Sequence, residues 1–117
     1  MRDNAEVAEL WVKGLTGDWS ILEGLSSPTM TVWHSHDNMW LTREEGAARM
    51  AESPAPASAP AFEDVRTIIT ETGFVLQGSV AGLPGMPGRT HIVQINTVKD
   101  GLLASCEEFI APEMNLG

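Results

Sequence analysis

Residues 90–110 have the sequence THIVQINTVKDGLLASCEEFI, and this stretch decides the fold. It holds two runs rich in apolar and β-branched residues, Thr90–Lys99 and Leu102–Ile110, which are joined by Asp100-Gly101. An Asp-Gly pair between two such runs is a strong hairpin signal, because both residues tolerate the positive φ angles that a tight turn requires. The stretch therefore predicts two antiparallel strands.

Three more strands are predicted before this hairpin, at Thr29–Ser35, Val65–Thr72 and Phe74–Ala81, where β-branched and aromatic residues are concentrated. Residues 82–88 contain the spacing Gly-x-x-Gly-x-x-Gly, which can mark a phosphate-binding loop. Such a loop needs the N-terminus of a helix beside it, whereas this one joins two strands. We therefore interpret it as a hairpin loop, and we expect no cofactor.

The first half of the chain predicts helices. An apolar stripe with a period near 3.6 residues runs along the first segment, with Asp3 or Asn4 as the cap; its members are Val7, Leu10, Trp11 and Leu15. A second, short helix is predicted after Asp18, and Thr42-Arg43-Glu44-Glu45 has the spacing of a capping box that opens a third. Three prolines at residues 53–60 predict a semi-extended connector. Helices followed by grouped strands indicate an α+β fold, with helices on one face of a mostly antiparallel sheet.

Composition limits the possible functions. A chain of 117 residues has enough surface to bury for one core, so 1–117 is predicted to be a single domain. A net charge of −9 argues against nucleic acid or an anionic membrane as a partner. The single cysteine, Cys106, cannot form an internal disulfide, and no segment reaches the roughly 20 apolar residues of a membrane span. We therefore expect a cytoplasmic protein.

The order of these elements resembles the NTF2-like superfamily, which includes ketosteroid isomerases, SnoaL-type polyketide cyclases and limonene epoxide hydrolases. The segments that carry the resemblance are Thr31-Val32-Trp33-His34 and the final hairpin with its ending Glu107-Glu108-Phe109-Ile110. The resemblance covers nearly the whole chain and implies a cone-shaped α+β barrel, in which a curved, mostly antiparallel sheet wraps around N-terminal helices. It also implies a small-molecule pocket on the concave side of the sheet and homodimerisation through the convex side.

The resemblance also implies which side chains face the pocket. His34 matches the position of the isomerase base, and Gln94 matches the acid of the isomerase oxyanion hole. Cys106, Glu108 and Ile110 match inward-facing positions on the last strand. Since side chains alternate along a strand, Asn96 is expected on the same face as Gln94.

The chain departs from both known reactions of these relatives. It contains no tyrosine for an isomerase oxyanion hole, and it has His34 and Gln94 where that enzyme uses acidic residues. Gly78 and Val80 occupy the positions of the Arg and Asp that epoxide hydrolases require. Both reactions in their known form are therefore disfavoured.

The remaining polar set suggests a different base. An imidazole beside a partly desolvated carboxylate can take a proton, so His34 and Glu108 are the candidate catalytic residues. Gln94 or Asn96 could then donate a hydrogen bond to a ligand carbonyl as negative charge develops on it. This set predicts an isomerase or cyclase that abstracts a proton next to a carbonyl of a small apolar molecule. The alternative is a non-catalytic ligand-binding or dimerisation module on the same scaffold.

Each of these residues also has a purely structural interpretation. His34 can be a half-buried strand residue bonded to backbone, Glu108 a solvated charge at an edge, and Gln94 with Asn96 polar residues of an exposed convex face. His34-Ser35-His36-Asp37 has two imidazoles in His-x-His spacing, but no second cluster accompanies it, and we predict no metal.

Four tryptophans are many for a chain of this length. Trp11 lies on the helical stripe and is predicted to be a core residue. Trp19 and Trp40 fall near the expected pocket mouth, where either could stack on a flat ligand. Trp33 alternates with His34 and is expected to face the other way.

Overall fold

The computed structural model describes residues 1–52, 61–82 and 88–114. Over these residues the chain forms helices α1 (Asn4–Thr16), α2 (Ser20–Leu25) and α3 (Arg43–Glu52). The strands are β1 (Ser26–His34), β2 (Met39–Thr42), β3 (Glu63–Ile69), β4 (Gly73–Val80), β5 (Thr90–Lys99) and β6 (Leu102–Pro112). The predicted connector at residues 53–60 and residues 83–87 of the predicted loop lie outside the described part of the chain.

The strands form one sheet in the order β2-β1-β6-β5-β4-β3. Neighbouring strands are antiparallel except β1 and β6, which are parallel. The prediction of an α+β fold with a mostly antiparallel sheet is confirmed. Over the described residues the sheet stays open, with β2 and β3 as its two edges, so the implied barrel is not closed.

The hairpin that decides the fold has the predicted turn. Asp100 and Gly101 have φ angles of 53° and 75°, and Lys99 pairs directly with Leu102. Two positive φ angles in succession give a turn whose twist matches that of the strands it joins. The turn fixes the first pairs of β5 and β6. Beyond them the register shifts by one residue, since Val98 pairs with Leu103 but Thr97 pairs with Ser105. This bulge places Glu108, rather than Glu107, opposite Gln94.

Helix α1 covers the concave face of the sheet. Asp3 and Glu6 form a reciprocal capping box, in which the Asp3 carboxylate accepts a hydrogen bond from the Glu6 backbone N–H at 2.8 Å. The predicted apolar stripe packs toward β3 and β4, and its members Val7, Trp11 and Leu15 are buried there. Phe74, Leu76 and Leu103 are the fully buried sheet residues of the same core.

The remaining helices begin close to their predicted positions. The Thr42 and Glu45 side chains each accept a hydrogen bond from the other's backbone N–H, at 3.1 and 3.0 Å, so the predicted capping box at α3 is confirmed. Asp18 accepts from the Ser20 backbone N–H, and α2 begins at Ser20. No helix of the described chain has both the length and the apolar composition needed to cross a lipid bilayer.

The sequence did not predict strand β2. The strand has only four residues, Met39–Thr42, and the last of them is already the cap of α3, so it is too short for an alternating pattern to emerge. The turn before it ends at Asn38, whose φ is 55°, and the strand then pairs antiparallel with β1.

Candidate functional site

A cavity of about 450 Å³ lies between the concave face of the sheet and helices α1 and α2. Its walls are mostly apolar: Trp11 and Leu15 come from α1, and Met30, Val32, Ile92 and Val80 come from the sheet. The polar side chains of the lining belong to His34, Gln94 and Glu108. A volume of several hundred Å³ with an apolar wall and a few convergent polar groups is typical of small-molecule sites.

The register of three adjacent strands brings these polar side chains together. Glu108 on β6 pairs with His34 on β1 and with Gln94 on β5, so the three residues form one row across the sheet. Directly paired residues on neighbouring strands present their side chains to the same face, about 5 Å apart at Cβ. The concave curvature then points the row into the cavity.

Glu108 occupies the centre of the row. Its Oε2 accepts a hydrogen bond of 2.7 Å from Gln94 Nε2, and its Oε1 lies 3.6 Å from His34 Nε2. The His34 and Glu108 side chains are 24% and 18% exposed, whereas Gln94 is 3% exposed. The Oε1–Nε2 distance is too long for a good hydrogen bond, so Oε1 keeps acceptor capacity.

Trp11 determines the orientation of the Gln94 amide. The Trp11 indole Nε1–H donates to Gln94 Oε1 at 2.9 Å, across 83 positions in the chain. An indole nitrogen can only donate, so the amide oxygen must face Trp11 and the amide nitrogen must face Glu108. Asn96 Nδ2 makes a second, longer contact to the same oxygen at 3.4 Å. The hydrogen bonds therefore run in one direction, from Trp11 through Gln94 to Glu108.

Two polar atoms of this region are buried without a hydrogen-bond partner, His34 Nδ1 and Asn96 Oδ1. In a neutral His34 ring, a hydrogen on Nε2 would point toward Glu108 and leave Nδ1 as a bare lone pair. A hydrogen on Nδ1 would instead be a buried donor without an acceptor, which costs more. The geometry therefore favours the tautomer that carries its hydrogen on Nε2.

Cys106 lines the cavity one inward position before Glu108. Burial raises the pKa of its thiol well above the usual value, and the nearby carboxylates of Glu108 and Glu107 raise it further. A thiol held in its neutral form is a poor nucleophile. The side chain therefore contributes volume and polarizability to the cavity wall.

The structure places most of the predicted site residues at the cavity. His34, Glu108, Gln94, Trp19, Cys106 and Ile110 all line it. Asn96 does not belong to the lining: it is 2% exposed and lies behind Gln94, two residues further along β5.

Trp40 is the predicted ligand-binding residue that the structure places elsewhere. It pairs with Trp33, which alternates with His34, so both indoles lie on the convex face. Trp40 is 52% exposed there, and the Trp33 ring packs edge-on against Phe109 with centroids 5.1 Å apart. The prediction failed because it assumed a loop at Trp40, where the chain instead forms β2.

The polar role of Trp11 was missed by the sequence analysis. The residue is buried as predicted, but its indole N–H also holds Gln94. A periodic stripe shows which face of a helix is buried, and it carries no signal for a hydrogen bond to a strand far along the chain.

The His-x-His pair does not assemble a cluster in the described residues. The rings of His34 and His36 are 5.4 Å apart at their centroids, and His36 Nε2 lies 3.6 Å from Asp37 Oδ2 with its side chain 56% exposed. In the part of the chain that the structure describes, no three His, Cys, Asp or Glu side chains are grouped so that they could hold a metal ion.

The sequence matches no family model and no curated protein. The fold, in contrast, matches solved structures over nearly its whole length. An NTF2-like protein of unknown function from Burkholderia xenovorans aligns over 97% of this chain and 86% of its own, with a TM-score of 0.72 and 14% identity.

Two other similar structures are described by a proposed activity or by a related fold. IdmH from Streptomyces antibioticus, which is proposed to be a polyketide cyclase, aligns over 93% of this chain and 92% of its own, with a TM-score of 0.68 and 11% identity. A protein of Catenulispora acidiphila with a ketosteroid isomerase-like fold, solved in complex with trimethylamine, aligns over 93% and 88%, with a TM-score of 0.58 and 17% identity. At these identities the likeness is one of fold, and this chain has the NTF2-like fold.

Proposed function

We propose that this protein holds a small apolar molecule in the cavity and removes a proton next to a carbonyl group of that molecule. The observation that carries the proposal is the convergence of His34, Gln94 and Glu108 at one end of an otherwise apolar cavity. Polar side chains seldom line an apolar cavity without a structural or functional reason, because their desolvation is costly. The cavity is also large enough for a molecule of two or three rings.

The His34–Glu108 pair is the proposed base. Nε2 and Oε1 lie 3.6 Å apart, and the neutral imidazole directs its Nε2–H toward Oε1, so Oε1 is the atom of the pair that takes the ligand proton. Glu108 is held in place by the short bond from Gln94, which leaves the other carboxylate oxygen for the ligand. A positioned general base of this kind contributes about 10²–10⁴-fold to a rate.

The similar structures agree with this class of chemistry. IdmH is proposed to be a polyketide cyclase, and the protein from Catenulispora acidiphila has a ketosteroid isomerase-like fold. Both descriptions concern those proteins, and the comparison supports the reaction class without specifying a substrate for this chain.

A second candidate function is ligand binding without turnover, and one observation favours it. The Gln94 amide is engaged within the protein, since its oxygen accepts from Trp11 and its nitrogen donates to Glu108. Asn96 lies behind it, and the sequence has no tyrosine. The expected donors for negative charge on a ligand carbonyl are therefore committed or buried, which weakens catalysis but not binding.

Deuterium exchange at the α-carbon of 1-indanone, followed by proton NMR in D₂O, tests the proposal. Wild-type protein should exchange these protons faster than buffer does. His34→Gln and Glu108→Gln should each lower the protein-catalysed rate by about 100-fold or more. Glu107→Gln is the matched control, because Glu107 is the neighbouring carboxylate on the opposite face of β6, and it should keep the wild-type rate.

The result also separates the two candidates. Binding of 1-indanone without exchange above the buffer rate would favour the non-catalytic function. Equal rates in wild type and both site variants would contradict the proposed base.

We also propose a homodimer that forms through the convex face. Exposed apolar side chains continue across that face from edge to edge: Trp40, Phe109, Ile95 and Ile68. An apolar surface of this extent is typical of a protein–protein contact. The acidic charge still argues against nucleic acid and anionic membranes as partners.

A further inference from the structure

We infer that the cavity selects its ligand by charge and hydrogen-bond polarity: it takes a molecule that presents an O–H or N–H donor to Glu108, and it rejects the corresponding anion. This inference rests on the proposed function, since it requires that the cavity bind a small molecule. It adds the chemical class of that molecule, which neither the fold nor the similar structures specify.

The charge of the cavity lining disfavours an anionic ligand. Among the described residues that line the cavity, Glu108 is the one carboxylate, and none is lysine or arginine. Three of the described arginines have partners elsewhere, Arg43 with Glu23, Arg66 with Gln77 and Arg89 with Glu63, and Arg2 lines a separate surface hollow. An anionic ligand would thus lie beside a carboxylate in an apolar cavity without a counter-charge from these side chains, which is strongly unfavourable.

The direction of the hydrogen bonds favours a ligand that donates to Glu108. Trp11 donates to Gln94, and Gln94 donates to Glu108, so the chain of donors ends on the carboxylate. Within the described ranges, the contact of Glu108 Oε1 is the one at 3.6 Å with His34 Nε2, and a carboxylate accepts about four hydrogen bonds in total. The unfilled position at Oε1 is therefore one for a donor.

The orientation of the Gln94 amide between Trp11 and Glu108 is fixed. Trp11 comes from α1, whereas Gln94 and Glu108 come from β5 and β6, so the amide is held between a helix and the sheet. Rotating the amide by 180° would set its nitrogen against the indole N–H and its oxygen against the carboxylate, losing both bonds. Trp11 is accordingly a positioning residue, which keeps the acceptor directed into the cavity.

The aromatic side chains extend the selection to cations. Trp19 lies at the mouth of the cavity and is 39% exposed. The face of an indole ring attracts ammonium groups as well as flat apolar rings. An ammonium N–H and a neutral hydroxyl are thus two sources of the same donor chemistry.

Four probes built on one ring system separate these possibilities: 2-naphthol, 2-naphthylmethylammonium, 2-methoxynaphthalene and 2-naphthoate. Dissociation constants are measured by calorimetry at pH 8. The indole N–H signal of Trp11 in ¹H–¹⁵N spectra reports whether each probe occupies this cavity. We expect naphthol or the ammonium probe to bind about 10-fold more tightly than the methyl ether, and about 100-fold more tightly than naphthoate.

Glu108→Gln removes the charge and keeps the shape of the side chain. This variant should reduce the preference for naphthol over naphthoate to about 10-fold or less, whereas Glu107→Gln should leave it at the wild-type value. The wild-type comparison is decisive alone if the variant does not fold.

The outcomes distinguish this inference from the function on which it rests. Equal affinity of wild type for naphthol and naphthoate, with the Trp11 signal shifted by both, would overturn the selectivity and leave the cavity as a binding site. Absence of any shift at Trp11 with all four probes would overturn both proposals. A preference that persists in Glu108→Gln would show that Glu108 is not its source.

Discussion

At the residue scale, Gln94 links the structure of the site to its chemistry. The side chain is 3% exposed and is hydrogen-bonded to both Trp11 and Glu108. Each of these groups therefore gains a hydrogen-bond partner where it loses contact with water. A buried donor or acceptor that loses its partner in such a network costs its full desolvation free energy. The amide is thus a structural requirement of the cavity before it is a functional one.

Replacing Gln94 by leucine tests this reading of the residue. Gln94→Leu keeps the volume but leaves the Trp11 N–H and one Glu108 oxygen without their partners. We expect the free energy of unfolding in urea to fall by about 2–6 kcal/mol, at about 1–3 kcal/mol for each of the two unsatisfied groups. Gln77→Leu is the control, because Gln77 bonds Arg66 on the exposed side of β4, and it should cost less than about 1 kcal/mol. Equal losses in the two variants would contradict the role given to Gln94.

At the element scale, the site depends on the register of β1, β6 and β5. The Asp100-Gly101 turn that joins β5 to β6 was readable from the sequence, because its two residues have a strong local preference, whereas the register shift beyond it was not. The parallel pairing of β6 with β1 joins residues more than seventy positions apart, and no local signal marks it. His34 and Glu108 could therefore be brought together only through the family resemblance.

The same reasoning explains where sequence analysis failed. The inward positions of Gln94 and Cys106 were predicted through the family resemblance, because the register shift beyond the turn interrupts simple alternation along β6. The strand at Trp40 is too short to show a period, and the hydrogen bond of Trp11 depends on how α1 is packed on the sheet. Tertiary contacts of this kind leave no trace in local sequence patterns.

Gly73 at the start of β4 gives a test of strand spacing. A Cβ added there would overlap the backbone carbonyl of Asn96, so alanine would force β4 away from β5 next to Gln94. We expect Gly73→Ala to lower the free energy of unfolding by about 1–3 kcal/mol. Gly24→Ala is the control, since nothing lies within 4 Å of its added Cβ and alanine favours the helix by about 0.5–1 kcal/mol. A Gly73→Ala protein as stable as wild type would mean that the two strands are not so closely spaced.

At the scale of the whole molecule, the two faces of the sheet differ in the side chains that they bury and expose. The concave face carries the core and the cavity, whereas the convex face exposes Ile68 at 66%, Ile95 at 43% and Phe109 at 38%. Large apolar side chains in one continuous row are unusual for a monomer surface. Separating the faces in this way would let the proposed dimer form without closing the cavity.

The dimer is tested by sedimentation velocity at micromolar concentration. Wild type should sediment as a dimer, and Ile95→Lys should shift it to a monomer, because the charge would be buried in the contact. Met114→Lys serves as the control at an exposed apolar residue outside the row, and it should remain dimeric. A monomeric wild type would contradict the proposed contact.

The central claim is that the end of the cavity formed by His34, Gln94 and Glu108 is where a ligand is recognised. A crystal structure of the protein with 2-naphthol tests it most directly. We predict the ring between Trp11 and Trp19, with the hydroxyl oxygen at about 2.5–3.0 Å from Glu108 Oε1. A ligand bound elsewhere, or one in the cavity with its hydroxyl turned away from Glu108, would contradict the account.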